Sequence, residues 1–336
     1  MGAYAYDPTH PMQINTITPG SGPVRTFIYD NSNGAAGNGN LVNDGLRTYT
    51  WDAENRPTQI TNTQTGASTS FAYTPDGMRY AESTTGADPS SLTEVNGLFQ
   101  VYTEGGHTSF RNSIAAPTGI VAIYTVRDDS LVTTRYLTTD HLGSSSEITN
   151  EVGGVVEATS YDTFGAKRDI NTWQTYSFGT APNTTDITDK GYTGQQQLDA
   201  LGLIHMNGRV QDPYTGRFVS ADPTVPDPFF SQAFNRYAYV YNNPMNSVDP
   251  SGFSEFDANG NPVGNWRIVA TVGNGIFQSP YSSGQGVSCP PGGCQGPPPQ
   301  ISPTPDINGY PFLRFLLRPP QTEVRRSQRL RPPLEV

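Results

Sequence analysis

The N-terminal third of the chain alternates large apolar with small polar residues in short runs, each stopped by Asp, Asn or Gly. In Tyr49-Thr50-Trp51 and Phe71-Ala72-Tyr73 the aromatic residues fall on every second position, which places them on one face of an extended strand. The run endings recur: Tyr6-Asp7, Tyr29-Asp30, Trp51-Asp52 and Tyr73-Thr74 lie 23, 22 and 22 residues apart. Turn-forming residues follow three of them, as Asn38-Gly39-Asn40 after Tyr29-Asp30, Asn55-Arg56 after Trp51-Asp52, and Asp76-Gly77-Met78-Arg79 after Tyr73-Thr74. A unit of this length holds a few short strands and cannot cover its own apolar face, so neighbouring units must stack. The period is too short for a propeller blade, which takes about 40 residues. An ordinary antiparallel β domain with chance spacing is the plainer alternative.

Further along, residues 119–126 and 131–137 are β-branched and aromatic runs of strand length. Residues 254–272 predict a small hairpin, with Asp257-Ala258-Asn259-Gly260-Asn261 as its turn and Trp266-Arg267-Ile268-Val269-Ala270-Thr271-Val272 as a strand. From residue 278 to 305 the chain is rich in Pro and Gly and reads as a linker. Composition agrees with an all-β fold: 336 residues carry 34% hydrophobic and 11% aromatic residues, with 18 Tyr, 35 Gly and 29 Pro. The net charge of -10 argues against broad nucleic-acid binding, which needs clustered cations. Such a cluster occurs only near the end, at Arg314, Arg318, Arg325, Arg326, Arg329 and Arg331, and reads as a solvated tail. Cys289 and Cys294 allow one small disulfide loop. No apolar run approaches the ~20 residues of a membrane span.

Catalytic candidates are few when the residues are read without a family. His141 beside Asp140 reads as a packed or capping residue, and His10, His107 and His205 show no metal-ligand spacing. No Gly-x-Ser-x-Gly elbow is present. Asp-Pro recurs at Asp212-Pro213, Asp222-Pro223, Asp227-Pro228 and Asp249-Pro250, and is by default a turn pair.

The repeats resemble YD repeats, named for the Tyr-Asp pair. A more specific resemblance runs from residue 191 to 253. It begins Gly191-Tyr192-Thr193-Gly194-Gln195 and continues Gly202-Leu203-Ile204-His205-Met206-Asn207-Gly208-Arg209. Then come Asp212-Pro213-Tyr214-Thr215-Gly216-Arg217-Phe218-Val219-Ser220-Ala221-Asp222-Pro223 and Asn235-Arg236-Tyr237-Ala238-Tyr239-Val240-Tyr241-Asn242-Asn243-Pro244. Val248-Asp249-Pro250-Ser251-Gly252-Phe253 closes the block. This ordered set is similar to the core domain associated with Rhs repeats, found in Rhs polymorphic toxins and in the C components of insecticidal Tc toxins. Val210-Gln211 depart from the two aromatics common in that family.

The resemblance implies a spiral of β-hairpins forming part of a shell, with YD repeats over residues 1–90, the core region over 91–253 and a variable, largely disordered tail over 254–336. It also implies a single-turnover aspartyl self-protease. Asp222 and Asp249 match its catalytic aspartates and Arg209 its supporting arginine, and the cut is expected between Phe253 and Ser254. No cofactor or metal is implied. The partners implied are an upstream Rhs shell, a secretion apparatus or an immunity protein, in a secreted or cell-surface setting. Two other readings stay open: a non-enzymatic YD-repeat module that binds carbohydrate or protein, and an inactive gene fragment. The tail carries no recognisable toxin active site.

Overall fold

The computed structural model describes residues 2–20, 23–86, 88–117, 119–178, 181–182, 187–225, 230–257, 267–272 and 275–279. The chain divides into two compact units, Met1–Ser282 and Ser283–Val336, and the second lies wholly outside the described residues. So do Cys289, Cys294, the tail arginines, most of the Pro/Gly-rich run, and Asp227.

The described residues contain strands and short 3-10 turns and no α-helix. Thirteen strands, from Ile28–Tyr29 to Val155–Ala158, form one sheet in which each strand pairs with the next in sequence. Every pairing in it is antiparallel, as in Tyr49↔Ile60 and Leu92↔Tyr102. Three N-terminal strands, Ala3–Tyr6, Ile14–Thr18 and Arg25–Thr26, form a separate small sheet. A four-stranded sheet follows later, made of Gln196–Leu198, Leu203–His205, Val210–Asp212 and Arg217–Phe218.

The period of the repeat has a local cause. Tyr6, Tyr29, Trp51 and Tyr73 each end a strand, and the next residue ties the turn. Asp52 Oδ1 accepts the N–H groups of Glu54 and Arg56 at 3.0 and 2.8 Å, and Arg56 Nε returns to Asp52 Oδ2 at 2.7 Å. Asp140 does the same for Leu142 and Ser144 (2.9 and 2.8 Å), and Asp162 for Phe164 and Ala166 (3.0 and 2.9 Å). The residue three positions after each Asp, namely Asn55, Gly143 or Gly165, takes the left-handed backbone that Asn and Gly tolerate. Thr74 has one hydroxyl in place of a carboxylate and accepts only Met78 N–H, at 3.1 Å, among the N–H groups of its turn. The turn device therefore runs on to Tyr161-Asp162, well past the four evenly spaced units.

The core lies between the first repeats and the four-stranded sheet. Ile14, Tyr29, Leu41, Tyr49, Ile60 and Phe71 pack against Leu198, Leu201, Leu203, Val210, Val219 and Tyr237. A buried ion cluster crosses the same boundary. Arg47, with no exposed side-chain surface, donates to Asp44 at 2.8 Å, to Asp212 at 2.9 Å and to the Leu201 carbonyl at 3.0 Å. Such a cluster contributes little to net stability when intact, but removing one member leaves an uncompensated buried charge.

The expected hairpin over residues 254–272 is corrected. Phe256–Asp257 pairs backwards with Ser247–Val248, and Arg267–Val272 pairs with Gly275–Ser279. The strand was read, from Arg267 on, but its partner is the segment that follows it; the expected turn at Asp257-Ala258-Asn259-Gly260-Asn261 lies, from residue 258, outside the described residues.

Candidate active site

Arg209 opens the site from the position before the strand Val210–Asp212, with its side chain 3% exposed. One guanidinium nitrogen, Nη2, lies 3.1 Å from Asp222 Oδ2 and 3.5 Å from Asp249 Oδ2. The two carboxylates, 27 residues apart in sequence, thus converge on one cation. The other donors of Arg209 are held by backbone: Nε donates to the Gly252 carbonyl and Nη1 to the Arg236 carbonyl at 3.2 Å. The Phe218 ring lies under the guanidinium at 3.7 Å and fixes its plane.

Each aspartate is oriented by its own turn. Asp222 Oδ1 accepts from Thr224 N–H at 2.8 Å and from its hydroxyl at 2.9 Å. Asp249 Oδ1 accepts from Phe253 N–H at 3.0 Å and Ser254 N–H at 2.9 Å. The peptide bond between those two residues is therefore folded back onto Asp249. Gln195 fixes the start of this loop by donating to the Asp249 and Pro250 carbonyls at 3.1 and 3.0 Å, and Gly208 N–H holds the Ser251 carbonyl at 2.9 Å.

Two glycines make the close approach feasible. Gly252 has φ +77°, and a Cβ there would lie 2.5 Å from Met206 O and 2.7 Å from Arg209 N. A Cβ on Gly208 would enter the Phe253 ring at 2.1 Å, so the ring packs directly on backbone. That ring also lies 5.5 Å from the Arg209 guanidinium.

Burial dominates the electrostatics. It raises the Asp249 carboxyl from the ordinary value to about 6, against Arg209 and the Ser254 N–H, which lower it, and with Asp222 adding to the rise. Asp249 Oδ2 is buried and makes no hydrogen bond among the described residues. Glu255 is also buried, 4% exposed, and its carboxyl is raised to about 8 by burial first and by the charge of Asp249 second.

The positions singled out in the sequence, Arg209, Asp222, Asp249, Phe253 and Ser254, are thus all at one place. Asp212 lies elsewhere, paired with Arg47 and accepting Tyr214 N–H at 3.0 Å. Arg217 is a hydrogen-bond donor to Met12 and Asn235. His141 contacts the Met245 carbonyl at 3.2 Å, and His205 is buried beside Tyr73, 3.0 Å from its hydroxyl. No group of three metal-ligating side chains occurs among the described residues. Sequence reasoning missed Gln195, Gly208 and Glu255 as members of the site. For Gln195 and Gly208 the only signal was membership in the resemblance block. Glu255 had none beyond lying next to the expected cut.

The fold is similar to the β-rich fold found in Tc-toxin complexes. A crystal structure of TcdB2–TccC3 superposes with a TM-score of 0.53 at 16% identity, over 75% of this chain and 13% of that one. The Photorhabdus luminescens Tc holotoxin pore gives a TM-score of 0.51 at 17% identity, over 75% of this chain and 13% of that one. Sequence relatives name particular proteins. The tRNA3(Ser)-specific nuclease WapA of Bacillus spizizenii is 27% identical over 68% of this chain and 9% of its own length. The double-stranded DNA deaminase toxin A of Burkholderia cenocepacia is 29% identical over 64% of this chain and 17% of its own length. Toxin subunit YenC2 of Yersinia entomophaga is 38% identical over 20% of this chain and 6% of its own length. No family model matches. The chain is a relative of Rhs- and Tc-type toxin proteins and spans a small part of their length.

Proposed function

We propose that this chain cuts itself once, by aspartyl chemistry, at the bond between Phe253 and Ser254, separating the β-rich core of a toxin-like protein from its C-terminal segment. One observation carries the reading: Asp249 Oδ1 lies 2.9 Å from the nitrogen that would leave, and Asp249 Oδ2 shares a guanidinium with Asp222. The burial of Asp249 and the negative charge of Asp222 both favour a proton on Asp249, against the guanidinium they share.

Asp222 takes a proton from an attacking water as its oxygen bonds to the Phe253 carbonyl carbon. Asp249, whose Oδ1 accepts the Ser254 N–H before reaction, gives its proton to that nitrogen once attack on the carbonyl has made it pyramidal, as the carbon–nitrogen bond breaks. The products are a Phe253 carboxyl and a Ser254 amine. Arg209 holds both acids in register, and tethering of the substrate in the same chain supplies a high effective concentration, so one turnover needs only moderate catalytic power. The Tc-toxin neighbours support an upstream shell or Tc-type components as partners; a delivery apparatus and an immunity protein belong to the same proposal. A secreted or delivered setting belongs to the same reading.

The test is the size of the purified chain on a denaturing gel, with terminal sequencing of the products. Two fragments with a new N-terminus at Ser254 are expected, and one intact band for Asp222→Asn or Asp249→Asn. A folded, freshly made wild-type chain of full mass would overturn the proposal and leave a non-enzymatic interaction module in its place.

A further inference from the structure

We propose that Glu255, buried two residues past the scissile bond, is a positioning residue of the cleavage site whose side chain holds the leaving half of that bond against Asp249. The proposal rests on the self-cleavage reading and assigns a role that the two aspartates and Arg209 do not fill.

The geometry is that of a closed loop. Val248 pairs with Phe256 across two short antiparallel strands, Ser247–Val248 and Phe256–Asp257. Asp249 and Glu255 are the residues immediately inside that rung, one at each end of the loop that carries the scissile bond. Both are buried, at 0% and 4% exposure, although the Phe253 ring between them is 37% exposed. One Glu255 oxygen, Oε2, is buried without a hydrogen-bond partner among the described residues. A glutamate at the end of a Gly-containing loop would ordinarily turn its head to water, because burying a carboxylate without a partner is costly. Its inward position therefore implies a neutral side chain.

The charged groups around it are Asp249 on the same loop, Arg209 beside the four-stranded sheet, and Asp222 behind Arg209. The Tyr239 hydroxyl lies behind Asp249 and stays protonated. The Arg209 guanidinium contacts two of these carboxyl groups, Asp222 and Asp249, and acts on Glu255 only through its charge. Arg209 already carries the two aspartates, and a neutral Glu255 adds no further negative charge beside them. Ionised Glu255 adds an uncompensated negative charge at the loop base. Its escape to water pulls on the Val248↔Phe256 rung and draws Ser254 N–H away from Asp249 Oδ1. Glu255 touches no reacting atom; it acts by keeping the leaving nitrogen where Asp249 can protonate it.

The experiment uses the full chain, isolated uncut in denaturant and refolded by dilution at pH 7 and pH 9, with cleavage timed on gels and each variant normalised to its own rate at pH 7. With its carboxyl at about 8, Glu255 passes from mostly neutral to mostly ionised across this interval. Wild type is expected to lose about tenfold more rate than Glu255→Gln, which stays neutral throughout. Glu255→Asp keeps an acid at this position and retains the steeper loss. A role in stability alone would slow the variants without changing this pH dependence. Identical profiles for wild type and Glu255→Gln, loss of the steep limb in Glu255→Asp, or no cleavage by folded Glu255→Gln at either pH would overturn the Glu255 role while self-cleavage stands. A folded wild type that stays uncut at both pH values would overturn both.

Discussion

Replacing Gly252 with Ala tests whether the scissile loop must lie within ångströms of Arg209. The residue has φ +77°, which costs a residue with a Cβ about 1–2 kcal/mol. Its added Cβ would meet three backbone atoms, Met206 O at 2.5 Å, Arg209 N at 2.7 Å and Gly208 N at 3.1 Å, none of which can rotate away. Relaxing the closest contact to an ordinary separation of about 3.5 Å moves the loop outward by about 1 Å. That displacement stretches the bonds from Arg209 Nε to Gly252 and from Gly208 N–H to Ser251, and carries Ser254 N–H off Asp249. A misplacement of ~1 Å typically costs ~100-fold in rate, near 2.7 kcal/mol of barrier. Cleavage of Gly252→Ala during refolding is therefore expected to slow by about two orders of magnitude. In an Asp249→Asn background, where both chains stay intact, denaturant unfolding is expected to show a loss on the order of 2 kcal/mol. Cutting at the wild-type rate would refute the proposition that the tight backbone approach sets the reaction geometry.

Other expectations follow from the buried charges. Arg47→Met leaves Asp44 and Asp212 with only the partly exposed Arg25, at 3.3 and 3.8 Å, and is expected to cost on the order of 3 kcal/mol, seen as a lower urea midpoint. The uncut Asp222→Asn chain is expected to lose stability between pH 7 and 9. The folded-state Glu255 carboxyl sits above its unfolded value, so the folded protein holds a proton that the unfolded chain has released, and the contribution fades as pH rises through about 8. That one group accounts for about 1.4 kcal/mol over the interval, and adding Glu255→Gln should flatten the melting temperature across it. Melting curves that rise with pH in the first variant would contradict the burial of a neutral acid.

The strand endings were legible because their cause is local. A side chain that accepts the N–H groups two and four residues ahead needs only its own turn, so Asp52, Asp140 and Asp162 carry their structure in the nearby sequence. Alternation in Tyr49-Thr50-Trp51 likewise set which face is buried, since the side-chain period of a strand is two. The residues of the site were legible through resemblance alone; by chemistry each Asp-Pro pair was a turn, and Asp212-Pro213 is indeed one. The mistaken hairpin partner of Arg267–Val272 shows where local pattern fails, because a strand's face can be read from its own residues but its neighbour cannot.

Sequence by itself thus determined the all-β class, the repeat and its turns, and the absence of a helix-length apolar run. Only the tertiary structure decided that Arg47 meets Asp212 across 165 residues, that Asp222 and Asp249 share one nitrogen of Arg209, and that Glu255 turns inward. The physical reason is range: hydrogen bonds within a turn depend on spacing along the chain, whereas burial, and the carboxyl shifts that burial causes, exist only once distant segments have closed over the same point.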